Sequence, residues 1–272
     1  MANPAFSQSP AFSENGRKAV AVPPVPPAPS ASELDAQFAI PAATADQMGR
    51  MTYQDTIVKT VVSFAILVAG AGIGWVFPVL GIPGAIAGFV LALVLIFRKK
   101  PSAPLTLAYS AAEGLFVGAI SMWFTLAFDS AIVPTAVFGT LGVVGITLAL
   151  FASGKVRASK RATQIFLVAM LGYLVFSLVN VVLMMTGVAN SMFGVRDMLI
   201  PGTNIPLGVP LGILVVLLAA YSLVIDFEQV KTGVQRGAPR AYGWTAAFGI
   251  MLTVVWLYLE ILRLLSYFMP RS

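Results

Sequence analysis

Ionisable side chains are rare in the long apolar runs of this sequence: Lys59 is the only charge in the first, and Glu113, Asp226, Glu260 and Arg263 stand in or at the edge of later ones. A charged group at the centre of a membrane helix costs about 2.5–3.5 kcal/mol on insertion scales, so each is a functional candidate until its pairing is explained. Glu260 and Arg263 are spaced i, i+3, which lets them pair along one helix face. That pairing accounts for Arg263 but not for the choice of Glu260, since two apolar residues would insert more cheaply. Asp226 closes an aliphatic run where water could reach its carboxylate, and Arg98, closing another run, is expected at the same depth. Glu113 is expected either to hydrogen-bond between helices or to line a polar cavity.

The chemistry open to this set is narrow. The chain has no Cys and no His, which removes disulfides, thiol and imidazole catalysis and the usual zinc ligands. Carboxylates and carbonyls remain, and these bind protons and hard cations such as calcium or magnesium. Two carboxylates about 4 Å apart repel by roughly 4 kcal/mol at an effective dielectric of about 20. An Asp226–Glu260 pair would therefore take one proton or one calcium ion in competition. No enzyme activity and no cofactor are expected. There is no Ser-His pair and no metalloprotease motif, and the two acids lack the Gly-rich setting of membrane aspartyl proteases.

The elements that must position these residues are membrane helices. Hydrophobic residues make up 58% of the 272 and charged residues only 10%, against about 25% charged in an average soluble domain. Seven apolar spans are expected, over 57–77, 82–97, 104–128, 131–151, 162–186, 207–225 and within 242–268. Thr52, with Asp55 three residues on, is a plausible cap for the first. Small residues at helical spacing, among them Gly70 and Gly74, Gly84 and Gly88, and Gly114 and Gly118, admit close backbone approach. Residues 1–50, rich in Pro, Ala and Ser and including Pro23, Pro24, Pro26, Pro27 and Pro29, cannot bury a core and are expected to be a disordered tail. Residues 51–272 form the membrane domain.

Orientation follows from the bases. Arg98, Lys99 and Lys100, then Lys155, Arg157, Lys160 and Arg161, then Lys231, Arg236 and Arg240 occupy alternate loops, while the other loops hold only Arg196. By the positive-inside rule the N-terminus is cytoplasmic. Bases spread this way flank spans and form no contiguous patch, so nucleic acid is not an expected partner. Three hairpins plus one unpaired final helix make that last helix the candidate for the centre of the bundle.

Four segments carry a resemblance: Met51-Thr-Tyr-Gln-Asp-Thr-Ile-Val-Lys-Thr60, Tyr109 to Ser121, Val224-Ile-Asp-Phe-Glu-Gln-Val230 and Trp256-Leu-Tyr-Leu-Glu-Ile-Leu-Arg-Leu-Leu265. Together they resemble the Bax-inhibitor family, also called the transmembrane Bax inhibitor motif family, over about residues 50–268. The resemblance implies seven helices with the last surrounded by the other six, and a multi-pass protein of the plasma membrane, bacterial in origin. It also implies a calcium leak controlled by pH, in which Asp226 and Glu260 face each other as the sensing and calcium-binding acids and Arg98 latches Asp226 in the closed state. Some relatives act instead on membrane quality-control proteases, which leaves a regulator without conductance as the alternative, its tail serving as docking arm.

Two departures from the family pattern bear on geometry. Glu260 stands where Asp is more usual, and 34 residues separate Asp226 from Glu260, more than in compact members. A helix continuous from Tyr242 would carry Glu260 about 27 Å along its axis at 1.5 Å per residue, away from Asp226. The expected solution lays residues 241–249 in the interface and starts the true span near Met251, with Glu260 at mid-membrane.

Overall fold

In the computed structural model the chain is all-helical, with no strand among the described residues, which are residue 30 and residues 48–270. The tail expected over residues 1–50 lies outside the described residues except for these few positions. Seven helices are long and apolar enough to cross a membrane: α1 Tyr53–Val76, α2 Gly81–Phe97, α3 Ala103–Ala127, α4 Ile132–Ala152, α5 Lys160–Met185, α6 Gly208–Gln235 and α7 Tyr242–Leu265. The spans expected from hydropathy are all present. The last two are longer than expected: α6 continues ten residues past 225, and α7 is one unbroken helix from Tyr242.

Local chemistry sets the helix ends. The Thr52 hydroxyl accepts from the Asp55 N–H at 3.1 Å and starts α1, and the Ser159 hydroxyl does the same for α5 from the Ala162 N–H at 3.2 Å. Such caps satisfy one of the N–H groups that a first helical turn leaves unbonded. Between α1 and α2, Pro78–Leu80 forms a single 3-10 turn.

Glycines decide how closely the first helices pack. A Cβ placed on Gly118 of α3 would run into the backbone of Ala71 in α1, one on Gly74 into the carbonyl of Leu115, and one on Gly70 would lie 2.8 Å from the Ala111 carbonyl oxygen. α1 and α3 therefore meet backbone to backbone, the approach that small residues permit between membrane helices. α2 packs on α3, with Gly84 against Ala112 and Leu115.

α7 is the most buried helix, packed on α1, α3, α4 and α6. Met251, Leu257 and Leu262 are fully enclosed. The last helix is thus central. α5 is the opposite case: of its residues only Asn180 is buried, and most of its large apolar side chains face outward.

The entry to α1 is tied to the α6–α7 loop. Arg50 bridges Pro239, the Met51 N–H donates to the Ala238 carbonyl at 2.7 Å, and the Arg240 N–H donates to the Gly49 carbonyl at 2.9 Å. Behind this clasp Lys59 Nζ donates to Asp55 Oδ2 at 2.5 Å and to the Arg240 carbonyl at 2.7 Å. Arg240 Nε completes the cluster on Asp55 Oδ1 at 2.8 Å. Lys59, expected as a lone charge in the first span, is in fact paired and sits under the Trp244 ring.

Candidate functional site

Polar chemistry inside the bundle gathers at two levels of α7. At the first, near the end that carries the basic loops, Asp226 Oδ2 accepts from Thr253 Oγ1 at 2.7 Å, and Thr253 shares a 3.4 Å hydroxyl contact with Ser222. Gly249 makes room for this approach, since a Cβ there would lie 3.6 Å from Asp226 Oδ1. A pocket of about 160 Å³ opens beside the carboxylate, lined by Asp226, Gln229, Tyr242, Thr245 and Gly249 among others.

The second level is built on Glu260, which is 3% exposed. Its Oε1 accepts from Arg263 Nη1 at 2.7 Å and from the Tyr173 hydroxyl of α5. Its Oε2 faces Arg196 Nη1 at 3.5 Å. Arg196, in the loop between α5 and α6 and 5% exposed, also donates to Tyr173 Oη at 2.7 Å and lies over the rings of Tyr173 and Phe176. Past the end of α7, burial foremost and then the negative charge of Asp197 hold the Tyr267 hydroxyl above the usual phenol range. One carboxylate here serves two guanidinium groups. Buried charges persist when paired and hydrogen-bonded in this way, and losing one partner leaves the other uncompensated.

The expected approach of Asp226 to Glu260 is not the arrangement found. Thr253, which holds Asp226, precedes Glu260 by seven residues on a continuous helix, about 10.5 Å along its axis. The physical reason is the unbroken α7: with residues 242–249 continuing the helix, Glu260 is carried toward the far end of the bundle from Asp226. The two acids share no partner, so they do not converge as ligands of a single calcium ion. Among the described residues no group of three or more carboxylates gathers at one point.

Arg98 does not latch Asp226. It is exposed, its Nε donates to the Lys100 carbonyl at 3.2 Å, and its helix, α2, stacks on α3 rather than on α6. Glu113 is half-buried between α2 and α3, and a Cβ on Gly88 would come within 2.7 Å of its Oε2. Arg263 pairs with Glu260 at the expected i, i+3 spacing.

Three residues of the site escaped the sequence reading: Thr253, Tyr173 and Arg196. Arg196 carried a usable signal as the lone base of its set of loops. Tyr173 and Thr253 carried none, because a single hydroxyl in an apolar helix is ordinary until its partner is known.

A family model described as Bax inhibitor 1 like matches residues 3–270, essentially the whole chain. No curated protein matches it.

Proposed function

The chain belongs to the Bax inhibitor 1-like family of membrane proteins, and on that premise we propose that it is a proton-sensitive calcium leak of a bacterial plasma membrane and not an enzyme. The observation that carries this reading is Glu260, a carboxylate buried on the central helix between Arg196 and Arg263. A bundle that needed only to be stable would place apolar side chains there.

In this reading the two acids work as separate stations. Asp226, beside its pocket near the basic loops, exchanges protons and cations with the cytoplasm. The Glu260 cluster closes the other end: its ion pairs to Arg196 and Arg263 and its contact with Tyr173 hold the α5–α6 loop and α5 against α7. Protonating Glu260 removes the anchor of Arg196 and of Tyr173, so the loop and α5 are freed together. Calcium is the transported ion here, not a resident cofactor.

The clasp of Arg50 on Pro239 favours a second reading, a regulator without conductance. It ties the segment entering α1 to the loop beside Asp226, so a membrane protease engaging residues 1–47 would act on the bundle through it.

Purified protein in liposomes, assayed for calcium flux from pH 5 to pH 8, separates the two. Flux above that of protein-free vesicles, varying with pH and losing that variation in Glu260→Gln, is the expected result. Flux indistinguishable from empty vesicles across the whole range would eliminate the channel.

A further inference from the structure

α1 and α4 stand apart on the lipid-facing side of α7, and the cleft between them is a groove of two cavities, about 640 Å³ and about 480 Å³. Phe64, Leu141 and Val254 line both, so the two are continuous. Along α1 the lining runs from Tyr53 to Trp75, about 33 Å at 1.5 Å per residue, and so matches a hydrocarbon core about 30 Å thick.

Away from the mouth, the walls of the larger half offer little to a polar ligand. Its apolar residues include Ile57, Val61, Leu148 and Ile250. Tyr53 stands at the entry to α1, and the two threonine hydroxyls are already spent on their own helix: Thr56 Oγ1 donates to the Thr52 carbonyl and Thr60 Oγ1 to the Thr56 carbonyl, each at 2.8 Å.

The mouth differs. Arg157 and Lys231 line it at the end that carries the basic loops. The Arg157 guanidinium lies 4.4 Å over the ring of Phe151, itself a wall residue, which holds the charge at the opening. No carboxylate among the described residues pairs with Arg157, and the one acid nearby, Glu228, lies 3.3 Å from Lys231. Two cations against one carboxylate leave the mouth with a net charge of about +1.

We propose that this groove is a binding site for an anionic phospholipid, with an acyl chain along α1 and α4 and the phosphate held by Arg157 and Lys231. An apolar channel whose mouth carries one positive charge in excess complements a molecule with a long apolar tail and a singly charged anionic head. A zwitterionic head would bring its own cation to the same mouth. The site uses neither Asp226 nor Glu260 and is tested without a flux measurement.

The experiment is titration of the full-length protein in neutral detergent with palmitoyl-oleoyl phosphatidylglycerol or phosphatidylcholine, read by native mass spectrometry and by thermal shift. The phosphatidylglycerol should bind more tightly at equal chain length. Replacing Arg157 and Lys231 by Gln should weaken it about fivefold per charge and leave phosphatidylcholine unchanged. Leu148→Trp, which puts an indole in the groove, should weaken both lipids, while a melting temperature equal to the parent's in lipid-free detergent shows that the variant is folded. Equal binding of the two lipids by the parent protein, or a preference for phosphatidylglycerol that survives in the double variant, overturns the proposal.

Discussion

Asp226 and Thr253 face each other across α6 and α7 at 2.7 Å, and the register this contact belongs to is repeated along the whole helix pair. Toward the other end, a Cβ on Gly212 of α6 would lie 3.0 Å from Leu264 of α7, and one on Gly208 would strike the ring of Tyr267. Seven residues back from Asp226 on α6 is Ala219, which with Val215 is fully enclosed at the level of Glu260. Sliding Asp226 to Glu260 would move α6 by about 10 Å and drive Gly212 and Gly208 out of the positions their neighbours require.

The chain's lack of cysteine makes that register directly measurable. Ser222→Cys with Thr253→Cys should form a disulfide on mild oxidation, because the parent hydroxyls are 3.4 Å apart. Asp226→Cys with Glu260→Cys should stay reduced under the same conditions. Rapid closure of the second pair would show that the acids meet in another state.

The ion cluster sets an order of stabilities. Glu260→Gln leaves Arg196 and Arg263 facing each other without a carboxylate and should cost about 3–5 kcal/mol, read as a lower melting temperature in detergent. Arg196→Gln keeps the Arg263–Glu260 pair and should cost less, about 1–3 kcal/mol. A reversal of that order would mean that Arg196, rather than Glu260, organises the cluster.

Two neighbouring glycines of α1 should respond in opposite ways. Gly74→Ala forces a methyl into the Leu115 backbone and should destabilise by about 1–3 kcal/mol. Gly72→Ala meets nothing within 4 Å and should be neutral or slightly stabilising, since Ala is the better helix former. Thermal unfolding of the two variants side by side decides it.

Topology is tested by reporter fusions. The bases of alternate loops place a reporter after Lys100 in the cytoplasm and one after Ser272 outside it. A cytoplasmic reading at Ser272 would reverse the assignment of Asp226 and Glu260 to the two faces.

What could be read in the sequence, and what could not, divides along the same residues. Hydropathy is summed over twenty positions, so the seven spans survive any single error. The Gly70, Gly74, Gly114 and Gly118 spacing announces an interface, and Arg263 announces its pairing with Glu260. The depth of Glu260 turned on whether residues 241–249 continue the helix, and nothing local decides this: Gly243 and Gly249 lower helix propensity, and packing against Lys59 and Asp226 restores it. Depth and the family resemblance pair Arg98 with Asp226, and depth says nothing of which helices are neighbours around the bundle.

The order in which the chain is made gives the weak packing of α5 a meaning of its own. Tyr173 enters the bilayer before either of its partners exists, with Arg196 following 23 residues later and Glu260 87 residues later. Until then α5 has little apolar surface to bury against its neighbours and a hydroxyl that hydrocarbon cannot satisfy. α5 can therefore meet the loop after it and α6 as soon as these are made, but its link to the central helix has to wait until the last helix delivers the carboxylate.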